Sequence, residues 1–168
     1  NGIELDISEY PEAAKKCIMQ FQDWFHIVRP DKYLSEHIVA WDSMVGKQVL
    51  TDDDGNVIQK EDWSEDRFAG TLDFLGYIET ERLIQVPNLF TKKQIDYIRQ
   101  GGIFGGKKRL LCLIDFKTTS GIRFEHKLQV GGAYPIAVEQ MYGKKIDFCG
   151  ILRLGTRHTA GYEIKMVD

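Results

Sequence analysis

The stretch RLLCLIDFKTTSG, Arg109 to Gly121, constrains this chain more than any other. Leu110 to Ile114 are apolar without interruption, the pattern of a buried strand. Asp115, Phe116 and Lys117 follow at once. Asp115 and Lys117 are i and i+2 on that strand, so their side chains project to one face. A buried, unpaired charge costs several kcal/mol, so each needs a partner. The partner is either an opposite charge, in a salt bridge between the two or to a neighbour, or a divalent cation.

A second acid interrupts an apolar strand in the same way. Asp73 stands in GTLDFLG, flanked by Gly70 and Gly76, which allow close backbone approach. Asp73 and Asp115 could converge on one hard metal ion, Mg²⁺ or Mn²⁺. Mg²⁺ takes a few carboxylates and keeps several waters. Its remaining positions would suit a phosphate oxygen and a nucleophilic water. Lys117 would hold that water and stabilise charge developing on phosphorus.

The surrounding pattern sets these residues in context. EYPEAAKKCIMQFQDWF reads as a helix with Pro11 in its first turn and Ala14, Ile18, Phe21 and Phe25 as its stripe. YLSEHIVAWD reads as a strand, with Glu36, Ile38 and Ala40 on one face and His37, Val39 and Trp41 on the other. RFAGTLDFLGYIE is a second strand. TKKQIDYIRQGG is a short helix capped by Thr91 and stopped by Gly101. RFEHKLQVGGAYPIAVEQMYG is a helix weakened at Gly131, Gly132 and Pro135. KIDFCGILRL and GYEIKMV are closing strands. This order indicates α/β or α+β architecture. TDDDGNVIQKEDWSED is polar, with a turn at Asp54-Gly55. As a calcium loop it fails, because Leu50 would occupy the first ligand position.

Together, AGTLDFLGYI, LLCLIDFKTTSG, HKLQVGGAY and CGILRLG resemble the RecB-type nucleases of the PD-(D/E)XK superfamily, especially phage and mobile-element exonucleases. The resemblance runs from about Tyr33 to the C-terminus. It implies a central mixed β-sheet flanked by helices, a restriction-endonuclease-like core; 168 residues, 43% of them hydrophobic, suit one domain over residues 1–168. It implies an enzyme, a metal-dependent deoxyribonuclease of DNA repair or recombination, with exonuclease action expected. In that family the acids matching Asp73 and Asp115 bind the metal, with the Phe116 carbonyl as a backbone ligand. The lysine matching Lys117 helps to activate water. Glu36 resembles a family glutamate on the preceding strand that positions a metal or the sheet. Gln129 and Tyr134 resemble a Gln–Tyr pair on the following helix, which implies a catalytic role for Gln129 and nucleic-acid binding by Tyr134, but they stand five residues apart rather than the usual four. The family's upstream histidine has no match; His26 and His37 read as structural. The chain opens on Asn1 rather than Met, so an N-terminal segment that completes the site would fit the resemblance.

Net charge is −3, so any polyanion must meet a locally basic face. Lys92, Lys93, Arg99, Lys107, Lys108 and Arg109 lie between the strands of Asp73 and Asp115. They are expected to overhang the site and track DNA, single- or double-stranded, with Arg123, Lys127, Arg153 and Arg157 extending the face. Phe90, Tyr97 and Phe104 are candidates to stack unpaired bases. Three widely spaced cysteines, Cys17, Cys112 and Cys149, suit neither a disulfide framework nor an iron–sulfur cluster, and suggest a reducing, cytoplasmic setting. No stretch approaches the ~20 apolar residues of a membrane span. Relatives that work in larger assemblies suggest a recombination or replication partner. The alternatives are a structure-specific endonuclease, a DNA-binding module of the same fold without turnover, and a protein in which D-x-K is only a structural ion pair.

Overall fold

The computed structural model describes residues 6–42, 67–155 and 161–167. The polar segment 51–66 and Arg157 lie outside the described residues. Five strands lie side by side in chain order: β1 (Asp31–Asp42), β2 (Arg67–Glu79), β3 (Arg109–Lys117), β4 (Phe148–Arg153) and β5 (Glu163–Met166). Among the described residues the β3–β4 pair alone is parallel; the other three pairs are antiparallel. A parallel step needs a crossover. Here it consists of α4 (Phe124–Leu128), a π-turn (Gln129–Ala133) and α5 (Tyr134–Tyr142). The remaining helices are α1 (Glu12–Val28), α2 (Thr80–Leu83) and α3 (Lys92–Arg99). The architecture is a mixed sheet with helices, of the α+β class.

The apolar run explains the layering. Leu110, Cys112 and Ile114 face one cluster, with Trp24, Val28 and Phe148. Leu111 and Leu113 face the other, with Val130, Tyr134, Ala137 and Val138. All five residues of the run are buried. A strand covered on both faces needs no polar alternation. Each fully buried aliphatic side chain contributes about 1.5–3 kcal/mol, so this strand anchors both layers.

Local signals hold elsewhere too. Thr91 and Gln94 form a reciprocal capping box at the start of α3, and Gly101 follows its end at φ +86°. On β1, Val39 is buried while Ile38 and Ala40 are exposed, the alternation its sequence predicts. The stripe of α1 is rotated from the expected one. Gln20, Trp24 and Val28 are its buried residues, while Phe25 is 43% exposed. The large indole of Trp24 takes the central contact with the sheet, which turns Phe25 outward. Among the described residues no helix is long and apolar enough to cross a membrane.

Candidate active site

The site forms where two paired strands part. β2 and β3 pair from Glu79↔Arg109 to Phe74↔Ile114 and no further. β3 runs on beside β4 as far as Lys117↔Arg153, while β2 runs on beside β1 as far as Arg67↔Asp42. The last three residues of β3 therefore lack a strand partner on the β2 side. Phe116 N–H, which would otherwise be orphaned there, donates to Asp73 Oδ2 at 2.6 Å. One short charge-assisted bond thus fixes the Asp73 carboxylate beside the D-x-K segment.

Asp115 is buried, at 3% exposure, on the face of β3 that meets the π-turn and α5. Lys117 Nζ lies 2.5 Å from Asp115 Oδ2. The two are close enough to pair, but Asp115 Oδ2 has no well-directed hydrogen-bond donor among the described residues. Burial raises the pKa of Asp115 above the ordinary carboxylate value; Lys117 opposes that rise, the Asp73 charge adds to it, and His126 opposes it. Tyr134 is buried too, and burial followed by the charges of Asp115 and Asp73 raises its pKa.

The Gln–Tyr spacing has a structural answer. The backbone N–H of Tyr134 donates to the carbonyl of Gln129, the i→i+5 bond of a π-turn. That turn absorbs one extra residue, so the five-residue spacing spans a single wide turn. Gln129 is exposed, and Tyr134 packs against Gly70, where an added Cβ would come within 2.7 Å of its ring. Gly70 is therefore the space in which Tyr134 sits. Tyr134 shows little surface to a strand of nucleic acid.

Glu36 lies opposite Asp73. Register runs from Ser35↔Phe74 to His37↔Leu72 and omits the Glu36–Asp73 position. Glu36 has φ +45°, a left-handed conformation that costs a non-glycine residue of order 1–3 kcal/mol. Both acids line one cleft of about 520 Å³, walled by Phe21, Trp24, Phe25 and Phe116. Trp24 Nε1, buried in this wall, has no acceptor among the described residues.

Two features here escaped the sequence. His126 lies near enough to Asp115 for its charge to bear on that carboxyl, and its Nδ1 accepts from Arg123 N–H at 3.3 Å. Its sequence signal was its position three residues before Gln129, one turn along the helix. The aromatic cleft had no signal, because its walls come from separate elements.

The basic segment is not where its sequence position suggested. Arg109 pairs with Glu79, six residues along β3 from Asp115, which is roughly 20 Å of strand. Lys107, Lys108, Arg109 and Arg99 line a pocket at that far end with Glu79 and Glu81. Lys107 pairs with Asp147, Arg109 with Asp31, and Arg99 with Glu81. Lys92 and Lys93 are exposed on α3, whose Ile98 lines the same far pocket. An antiparallel hairpin explains this: the loop joining β2 to β3 lies at one end, and both acids lie towards the other. Arg123 is exposed at the start of α4, the helix that follows the Asp115–Lys117 end of β3. Arg153 is engaged by Glu163 at 2.6 Å and by the Ser120 carbonyl. Phe90 and Phe104 are buried and pack edge-on against Phe148, so they are core rather than stacking platforms. His37 bonds to the Tyr142 hydroxyl at 2.6 Å, tying β1 to α5.

Among the described residues no three His, Cys, Asp or Glu side chains converge as a preformed metal nest. The donors present nonetheless suit a hard cation: two carboxylates, one buried with an oxygen short of a directed donor, and the adjacent Phe116 carbonyl. Comparison with protein-family models, curated proteins and solved structures finds no match.

Proposed function

We propose that this chain is a divalent-metal-dependent deoxyribonuclease of restriction-endonuclease-like fold, related to RecB-type nucleases and acting on DNA ends. The observation that carries the reading is the Asp73 carboxylate, held by Phe116 N–H at 2.6 Å beside the Asp115–Lys117 pair. Asp73, Asp115 and the Phe116 carbonyl would hold Mg²⁺ or Mn²⁺. The ion would supply Lewis acidity towards a phosphodiester and lower the pKa of a bound water.

The chain's own groups supply the rest. Asp115 is poorly solvated, so its charge is stabilised mainly by whatever cation stands beside it. The Lys117 ammonium has three donors and stands beside Asp115, so it can hold a water and a non-bridging phosphate oxygen. That positive charge opposes the negative charge that builds on the phosphoryl oxygens as water attacks. Gln129, exposed at the mouth of the π-turn, can orient the attacking water or the phosphate. Arg123 can hold the neighbouring phosphate of the chain.

The test is digestion of end-labelled single- and double-stranded DNA in Mg²⁺, Mn²⁺ and EDTA, with Lys117→Ala alongside. Metal-dependent cleavage that this variant loses is the expected result, and the product ladder separates end from internal cutting. The 2.5 Å contact of Lys117 with Asp115 favours a second reading, a purely structural ion pair. That reading requires no cleavage and no selective binding of divalent ions.

A further inference from the structure

The aromatic cleft shares two residues with the candidate site. Phe116 contributes its ring to the cleft wall and its N–H to Asp73, and Asp73 itself lines the cleft. Phe116 projects to the face opposite Asp115 and Lys117, since it stands between them on β3. The cleft thus opens on the α1 side of the gap between β2 and β3, and the Asp115–Lys117 pair borders the same gap from the other side.

Its walls are aromatic. Phe21 meets Phe116 edge-on at 5.3 Å between centroids, and Trp24 meets Phe116 at 5.9 Å. Phe25 continues the wall outward, with its ring 6.0 Å from Phe21. The rim carries Ser35, Glu36 and Asp73. At about 520 Å³ the space falls in the range of sites for small organic ligands. Two rim carboxylates repel an anionic head such as that of a fatty acid. They accept hydrogen bonds from a flat neutral group that carries N–H donors on its edge.

We propose that this cleft is a stacking slot for one unpaired nucleobase, placed so that the adjoining phosphate lies at Asp73, Asp115 and Lys117. This rests on the nuclease reading and specifies its substrate as a single strand or a frayed end. A paired base cannot enter, because its faces are covered by its neighbours and its edge by its complement. Aromatic stacking is tolerant of base identity, so the slot selects for strandedness rather than sequence.

The experiment uses the full chain in EDTA with short oligonucleotides carrying 5-iodouracil at one end, in a single strand and in a blunt duplex. Photo-cross-links are mapped by mass spectrometry, and affinity is read by fluorescence anisotropy. Cross-links on Phe21, Phe25 or Phe116, the cleft aromatics with exposed surface, are expected with the single strand. Phe25 is 43% exposed on the rim, so it can be changed with little loss of core. Phe25→Ala should weaken single-strand binding about 10-fold, and Phe25→Trp should restore it. Circular dichroism confirms that both variants fold. Cross-links elsewhere, or unchanged binding by Phe25→Ala, overturn the slot; cleavage by the same preparation in Mg²⁺ then leaves the nuclease reading standing. Cross-links in the cleft without cleavage in any metal support the slot and remove the nuclease reading. No DNA binding at all overturns the slot, and no cleavage by the same preparation in Mg²⁺ or Mn²⁺ then overturns the nuclease reading as well.

Discussion

Replacing Lys117 by alanine tests the electrostatics of the site without any substrate. The variant leaves Asp115 buried with its nearest cation gone. Removing one partner of a fully buried pair costs about 3–5 kcal/mol. The Lys117 side chain is 22% exposed against 4% for Asp115, so solvent recovers part of that cost, and about 2 kcal/mol is expected at neutral pH. For a chain of this size that lowers Tm by about 4–8 °C. The loss must depend on pH. Burial already raises the Asp115 pKa, and Lys117 holds the rise in check; without it the rise is larger. On the acid side the carboxyl is neutral in both proteins, no ion pair exists, and the difference shrinks to lost packing. As pH rises, wild-type Asp115 ionises against Lys117. The folded variant keeps a proton that its unfolded chain has released, so its stability falls with pH. Scanning calorimetry of both proteins in EDTA between about pH 4 and about pH 8 reads the gap. A gap of equal size across that range would refute the reasoning, as would a variant more stable than wild type at the alkaline end. The double variant Asp115→Asn/Lys117→Ala should show no such dependence.

Asp73→Asn and Asp115→Asn should each lower metal-dependent cleavage at least ~100-fold, read on end-labelled DNA. Gly70→Ala would put a Cβ 2.7 Å from the Tyr134 ring. It should cost about 1–3 kcal/mol through displacement of that ring, and an unchanged Tm would contradict the packing described. Deleting Gly132, whose position has open space around it, should turn the π-turn into regular α-helix with Gln129 and Tyr134 four residues apart. Cleavage within ~10-fold of wild type is expected, and loss of the fold by circular dichroism would show the wide turn to be required.

Much of this protein could be read before its fold was seen. The uninterrupted run Leu110–Ile114 demanded a strand covered on both faces, and it is one. Thr91 and Gly101 bounded α3 by backbone rules that act within a few residues. Asp73, Asp115 and Lys117 stood out because a charge within an apolar strand needs a reason, and the fold brings all three to one gap. Such signals are local: they depend on propensity, periodicity and desolvation, which a short segment carries with it.

What the sequence left open depends on partners distant along the chain. The basic segment looked adjacent to the acids because it lies between them in order; antiparallel pairing of β2 with β3 sends it to the opposite end. Phe90 and Phe104 read equally as platform or core, and the packing of Phe148 against both decided for core. The five-residue spacing of Gln129 and Tyr134 is reconciled by a π-turn, which two glycines permit but do not announce. The aromatic cleft joins α1 to a residue of β3 and faces β1 across the point where the strands part. Sequence alone determined which residues carry charge into the sheet, because burying a charge is costly wherever it happens. Tertiary structure alone decided what stands beside them, because side-chain contacts follow strand register and helix rotation, and these are set by the packing of the whole domain.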